Sequence, residues 1–174
     1  YMVGKMVAFQ IQNLLVAYKE RFDKDNFIKN LLLDNLLLVD IYSRAKKLHI
    51  QADVRRVVMI IETDSTKDCN VLEIVRSGNT NTRDFVTAVD ENNVIVVRDL
   101  SEGDSPAELD KGAKALESFL VKEGMRNVRV SYGTVVKEIK DVSRSYKEAR
   151  MALDVGKIFF SDRNVVAYSE LGIG

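Results

Sequence analysis

The sequence predicts an α/β (α+β) domain: one β-sheet of βαββαβ order behind an N-terminal helical lead-in. Three observations carry this reading. Val57-Val58-Met59-Ile60-Ile61 is continuously apolar, as expected of a central strand covered on both faces. Phe85–Val89 and Val94–Arg98 are two strand runs separated by Asp90-Glu91-Asn92-Asn93, residues that tolerate the left-handed conformations of a tight hairpin turn. Amphipathic helical patterns alternate with these strands, so the order after the lead-in is β-α-β-β-α-β-α-β. A βαββαβ core is a ferredoxin-like sheet with its helices on one face.

Each element has a local reason. Val7, Ile11, Leu14 and Tyr18 recur at steps of four and three, an a/d-type seam about two heptads long, and Leu15 and Phe22 widen it. Two readings fit this stripe: a helix laid on its own domain or a missing neighbour, or a helix that pairs with its twin in a dimer. Asp25 is placed to cap a second helix carrying Phe27, Ile28, Leu31 and Leu32, and Asp40 a third carrying Ile41, Ala45 and Leu48. The expected division is a helix over 1–24 and a domain over 25–174. His49, the single histidine, sits at a helix end with no partner residue nearby and reads as a surface residue.

The central strand is expected over Val54–Glu62, with Glu62, Thr63 and Asp64 at its C-terminal end. Acidic residues there are common in metal or phosphate sites of open α/β sheets, and more often still are plain loop starters. Val71–Ser77 is a short helix that Gly78 can end. Ser105-Pro106-Ala107-Glu108 is a helix start, with Ser105 as N-cap, Pro106 in the first helical position and Glu108 completing a capping box. Leu109, Ala113, Leu116 and Leu120 form its buried face, and Gly124 ends it. Val128–Tyr132 alternates as a half-buried strand. Asp141 is the expected N-cap of the next helix, which buries Val142, Tyr146, Ala149, Leu153 and Gly156 and turns Arg144, Lys147, Glu148, Arg150 and Lys157 to water. Asn164–Tyr168 is the last strand.

Composition removes several classes of function. Of 174 residues, 26 are basic and 26 acidic, so no net field remains to hold a nucleic-acid backbone. The single cysteine, Cys69, rules out an internal disulfide and a cysteine-rich zinc site, which fits a reducing, cytoplasmic setting. The longest apolar runs are too short to span a bilayer, so no membrane partner is expected. Both ends of the chain read as cuts in a longer polypeptide.

The residues Arg144-Ser145-Tyr146-Lys147-Glu148-Ala149-Arg150 and Ala152-Leu153 form a recognisable helix signature. With Val130-Ser131-Tyr132-Gly133 before it and Tyr168-Ser169-Glu170-Leu171-Gly172 after it, the chain resembles the GGDEF architecture of diguanylate cyclases. It resembles more closely the degenerate GGDEF-like domain of the sugar-diacid regulator (CdaR)/PucR group of bacterial transcription regulators. Phe27–Leu33 and Arg44-Ala45-Lys46-Lys47-Leu48 are similar to the helical lead-in of that domain, so the similarity runs from about Phe27 to Gly172.

The resemblance implies a middle segment, with a sensor domain for a small-molecule effector upstream and a helix-turn-helix for DNA downstream. The stripe Val7, Ile11, Leu14 and Tyr18 is the expected interface of a homodimer, because an exposed apolar stripe usually finds a partner. In active cyclases of this architecture the hairpin turn carries Gly-Gly-Asp-Glu-Phe. Aligned on Val94–Val97, the positions here are Asp90, Glu91, Asn92, Asn93 and Val94. The glycines are absent and the metal-binding acid falls on Asn93, whose neutral amide is a poor ligand for a hard divalent cation. The family's other metal carboxylate falls on Glu62, with Asp64 two residues later, and these are the only candidates for a metal. The expectation is a signal-relay module with no catalytic residue and no cofactor. The alternative is a nucleotide-binding or residual cyclase-like domain around Glu62, Asp64 and the Asp90–Asn93 turn.

Overall fold

A computed structural model describes residues 2–64, 71–78, 84–88, 93–100 and 106–171. Helix α1 (Met2–Leu32) and helix α2 (Leu38–Lys47) lead into strand β1 (Arg56–Glu62). Then come α3 (Val71–Gly78), β2 (Phe85–Ala88), β3 (Asn93–Asp99), α4 (Pro106–Lys122), β4 (Arg129–Tyr132), α5 (Val142–Phe159) and β5 (Val165–Ala167). The strands form one sheet in the order β2-β3-β1-β4-β5. β1 is antiparallel to both neighbours, and β4 and β5 are parallel across the α5 crossover. The first four strands therefore have the ferredoxin-like order that the sequence predicts.

The helices cover both faces of the sheet, not one. Val57, Met59 and Ile61 pack with Val71, Val75, Leu109, Ala113 and Leu120 of α3 and α4. Val58 and Ile60 pack with Phe27, Ile28, Leu31 and Leu32 of α1, Ile41 and Ala45 of α2, and Val142, Ala149 and Leu153 of α5. The two βαββαβ helices do share a face. The opposite face of β1 is just as apolar, and the lead-in and the added crossover helix close it.

Two expected caps give way to other arrangements, and a third makes no capping bond. No helix begins at Asp25, because α1 runs unbroken from Met2 to Leu32. No Gly or Pro interrupts it after Gly4, and Asp25 instead pairs with Lys29 at 3.2 Å, one turn on. Asp40 lies inside the first turn of α2, whose capping position is Leu37 with no side-chain cap. Asp141 does hold the N-cap position of α5, but it is also the last residue of a 3₁₀ turn over Ile139–Asp141, so its own backbone is already helical and its side chain makes no capping bond. The α4 start at Pro106 agrees with expectation, while Ser105 and the hairpin residues Asp90 to Asn92 lie outside the described residues. Gly124 follows α4 at φ 88°, and its N–H closes on the Val121 carbonyl at 3.0 Å, an ending that glycine accommodates without strain. His49 is exposed just beyond α2.

α5 approaches the sheet along a line of small residues. Ser145, Ala149, Ala152 and Gly156 are all buried, at steps of four, three and four. Tyr146, expected to be buried, is only half-buried at the rim of that face. Ser145 is fully buried: its hydroxyl accepts the Val58 N–H at 3.1 Å and donates to the Thr134 carbonyl at 2.9 Å. Val58 lies one residue beyond the β1–β4 register, which begins at Met59, so Ser145 satisfies an amide that the ladder does not. Gly133 allows this closeness. A Cβ there would lie 2.3 Å from the Ser145 carbonyl oxygen. Ser131 adds a third tie, donating to the Ala149 carbonyl at 2.8 Å.

Candidate functional site

The end of β1 gathers the charged and amide side chains that the sequence singled out. Glu62 is the last residue of the strand, and Asn93 stands directly opposite it on β3. Arg129 stands opposite it on β4. Directly opposed residues share a face of the sheet. Val58 and Ile60, two and four residues before Glu62, face the α5 side, so the row Asn93–Glu62–Arg129 lies on that side too.

α5 completes the row. Lys157 in its last turn reaches the Glu62 carboxylate, Nζ to Oε2 at 2.5 Å. Lys157 is exposed, as expected, and the fold also gives it a partner 95 residues away in the chain. Glu148, also expected in water, accepts a hydrogen bond from the Thr134 hydroxyl at 2.7 Å. Asp64, the second acidic candidate, is held elsewhere. Its backbone N–H donates to the Arg126 carbonyl at 3.2 Å, and its carboxylate accepts from Asn127 Nδ2 at 2.5 Å. Asn127 adopts φ 53°, a left-handed conformation that asparagine tolerates. The two carboxylates, close in sequence, are thus tied to different elements.

The chemistry of this donor set can be tested against a divalent cation. Hard cations take six or more oxygen ligands, carboxylates foremost. Here one carboxylate faces an amide and is flanked by a lysine and an arginine. Among the described residues the set does not fit a two-metal centre. Among the described residues, no group of three or more His, Cys, Asp or Glu side chains could hold a metal.

The stripe on α1 is the other candidate. Leu14 is 70% exposed. Leu15 and Val16 are exposed as well. Phe22 is also exposed, and the first buried apolar residue of the described part is Phe27. Val7, Ile11 and Tyr18 lie within the helix; their side chains are outside the described residues. Among the described residues, no helix is long and apolar enough to cross a membrane.

Sequence periodicity missed Lys157 and Ser145. Ser145 had a signal, since it continues the Ala149–Ala152–Gly156 line of small residues beside the apolar stripe. Lys157 had none, because its partner is set by how α5 lies along β1.

Residues 35–155 match the family model of the GGDEF-like domain. No curated protein matches the sequence. Among solved structures, the chain is similar to the GGDEF domain of DgcB from Caulobacter crescentus in complex with c-di-GMP. The identity is 14% over 73% of this chain and 81% of that one, with a TM-score of 0.48. A microbial GGDEF domain studied with bis-(3′,5′)-cyclic di-GMP is 16% identical over 82% of this chain and 92% of that one, also at a TM-score of 0.48.

Proposed function

This chain belongs to the GGDEF-like domain family, and from that premise we propose that it works as a non-catalytic regulatory module. Its setting in this reading is a cytosolic bacterial transcription regulator of the sugar-diacid regulator/PucR type. There it relays a signal between an upstream sensor and a downstream helix-turn-helix, as a homodimer joined through α1. The observation that carries the non-catalytic reading is the register pair Glu62–Asn93, with Lys157 on the carboxylate. Phosphoryl transfer between nucleotides needs metal ions to neutralise the phosphates. A neutral amide facing a carboxylate that already has a counter-charge offers them little. The signature helix supports the regulator setting, because Arg144–Leu153 is the stretch that resembles that group. The exposed Leu14–Val16 stretch of α1 supports the dimer.

The direct test is incubation with GTP and magnesium or manganese. No cyclic product is expected. Turnover that Glu62→Gln abolishes would overturn the reading. Calorimetric titration with GTP or cyclic di-GMP on the same sample separates a silent relay from a nucleotide sensor: saturable heat without turnover would favour the sensor.

A further inference from the structure

Lys157 keeps the exposure that the sequence predicts, and its pairing with Glu62 has a chemical meaning. We infer that its ammonium group takes the place of a divalent cation at the end of β1, so that Glu62 is neutralised from within the chain. This rests on the non-catalytic reading and goes beyond it by naming what fills the cation's role.

The charge count supports it. One carboxylate, Glu62, faces one neutral amide, Asn93, across the β1–β3 register. One ammonium at 2.5 Å balances that single negative charge. Arg129, opposite Glu62 on β4, brings a second positively charged residue to this end of the sheet among the described residues. An incoming divalent cation would have to displace Lys157.

The fold delivers Lys157 to this point mechanically. Ser145 is fixed against Val58 at one end of α5, and Lys157 meets Glu62 at the other. From Ser145 to Lys157 a helix rises about 18 Å at 1.5 Å per residue. From Val58 to Glu62 a strand advances about 13 Å. The helix overshoots by about 5 Å, and helical side chains lean back toward the N-terminus, so a lysine of that reach returns to the carboxylate. Lys157 also lies in the last turn of α5, where a positive charge complements the helix dipole.

The pair is partly exposed on both sides and adds little to stability, so substitutions at Lys157 should leave the fold intact. That makes the test clean. Manganese binding is followed without nucleotide, by loss of the electron paramagnetic resonance signal of the aqueous ion, with circular dichroism confirming the fold. The wild type and Lys157→Arg should show no saturable binding. Lys157→Glu, which replaces the ammonium with a second, shorter carboxylate and leaves room for an ion between it and Glu62, should gain saturable manganese binding, with a Kd at least about tenfold below the highest concentration at which the wild type shows none. Adding Glu62→Gln should remove that gain. Saturable binding by the wild type that Glu62→Gln abolishes, or a Lys157→Glu variant that binds no better than the wild type, would overturn the inference. Cyclic product from the wild type would refute the non-catalytic reading instead, and is read in a separate assay with GTP.

Discussion

Ser145→Ala is the perturbation that best tests how α5 is locked to the sheet. The substitution removes one oxygen and leaves two backbone groups without their partner. The Val58 N–H is the costlier, because Val58 and Ser145 are both fully buried and water has no route to replace the bond. An unsatisfied buried donor costs about 1–3 kcal/mol. The Thr134 carbonyl is in a half-buried segment and can recover some solvation, so its loss is nearer to about 0.5–1 kcal/mol. Alanine returns roughly 0.5 kcal/mol as the better helix former. The net expected loss is about 1–3 kcal/mol. Urea unfolding followed by far-ultraviolet circular dichroism reads it as a lower midpoint at constant slope. Hydrogen exchange adds a site-specific readout, since the Val58 amide should exchange faster than Met59 and Ile60 beside it. A loss under about 0.5 kcal/mol with unchanged Val58 exchange would refute the reasoning, and would mean that the helix is held by apolar packing alone.

Other perturbations follow from the same structure. Gly133→Ala should destabilise by about 1–3 kcal/mol, because the new methyl would press on the Ser145 carbonyl and force α5 outward; an unchanged urea midpoint would contradict this close approach. Leu153→Ala should cost about 2–5 kcal/mol, since Leu153 is buried in the core under α5; a loss under about half a kcal/mol would undo the helix orientation. Burial, reinforced by Asp110, pushes the Tyr132 phenol well above its usual range. The folded form therefore holds its proton where the unfolded chain releases it, so stability should fall above about pH 10, and less steeply in Tyr132→Phe. Ile11→Glu with Leu14→Glu should weaken self-association in sedimentation while the domain stays folded; an unchanged dimer would move the interface elsewhere.

The strands and most helices were legible because their causes are local. A doubly apolar run such as Val57–Ile61 has no stable place except a covered central strand, and the four-and-three spacing of Leu109, Ala113, Leu116 and Leu120 has none except a helix against it. The signature around Ser145–Leu153 pointed to the family, although its physical content appeared only in the fold. Ser145 is there to hold the Val58 amide, and Ala149, Ala152 and Gly156 let the helix come close. Glu62 and Asn93 were each singled out from the sequence. That they face one another follows from the β1–β3 register.

The misread features share one property, which is that each depends on a neighbour distant in the chain. Asp25 has the composition of a cap, but a helix stops only where something ends it, and the packing of Phe27 to Leu32 on the sheet carries α1 straight through. The sheet's second face looked uncovered because the lead-in and α5 were not known to share it. Lys157 is exposed, as the sequence suggests, but it also pairs with Glu62. Its role was decided by the parallel run of α5 along β1, a relation between residues 145–157 and 58–62 that no local pattern encodes. Short-range periodicity sets which residues are buried together on one element, whereas the pairing of charges across elements is fixed only when the chain closes on itself.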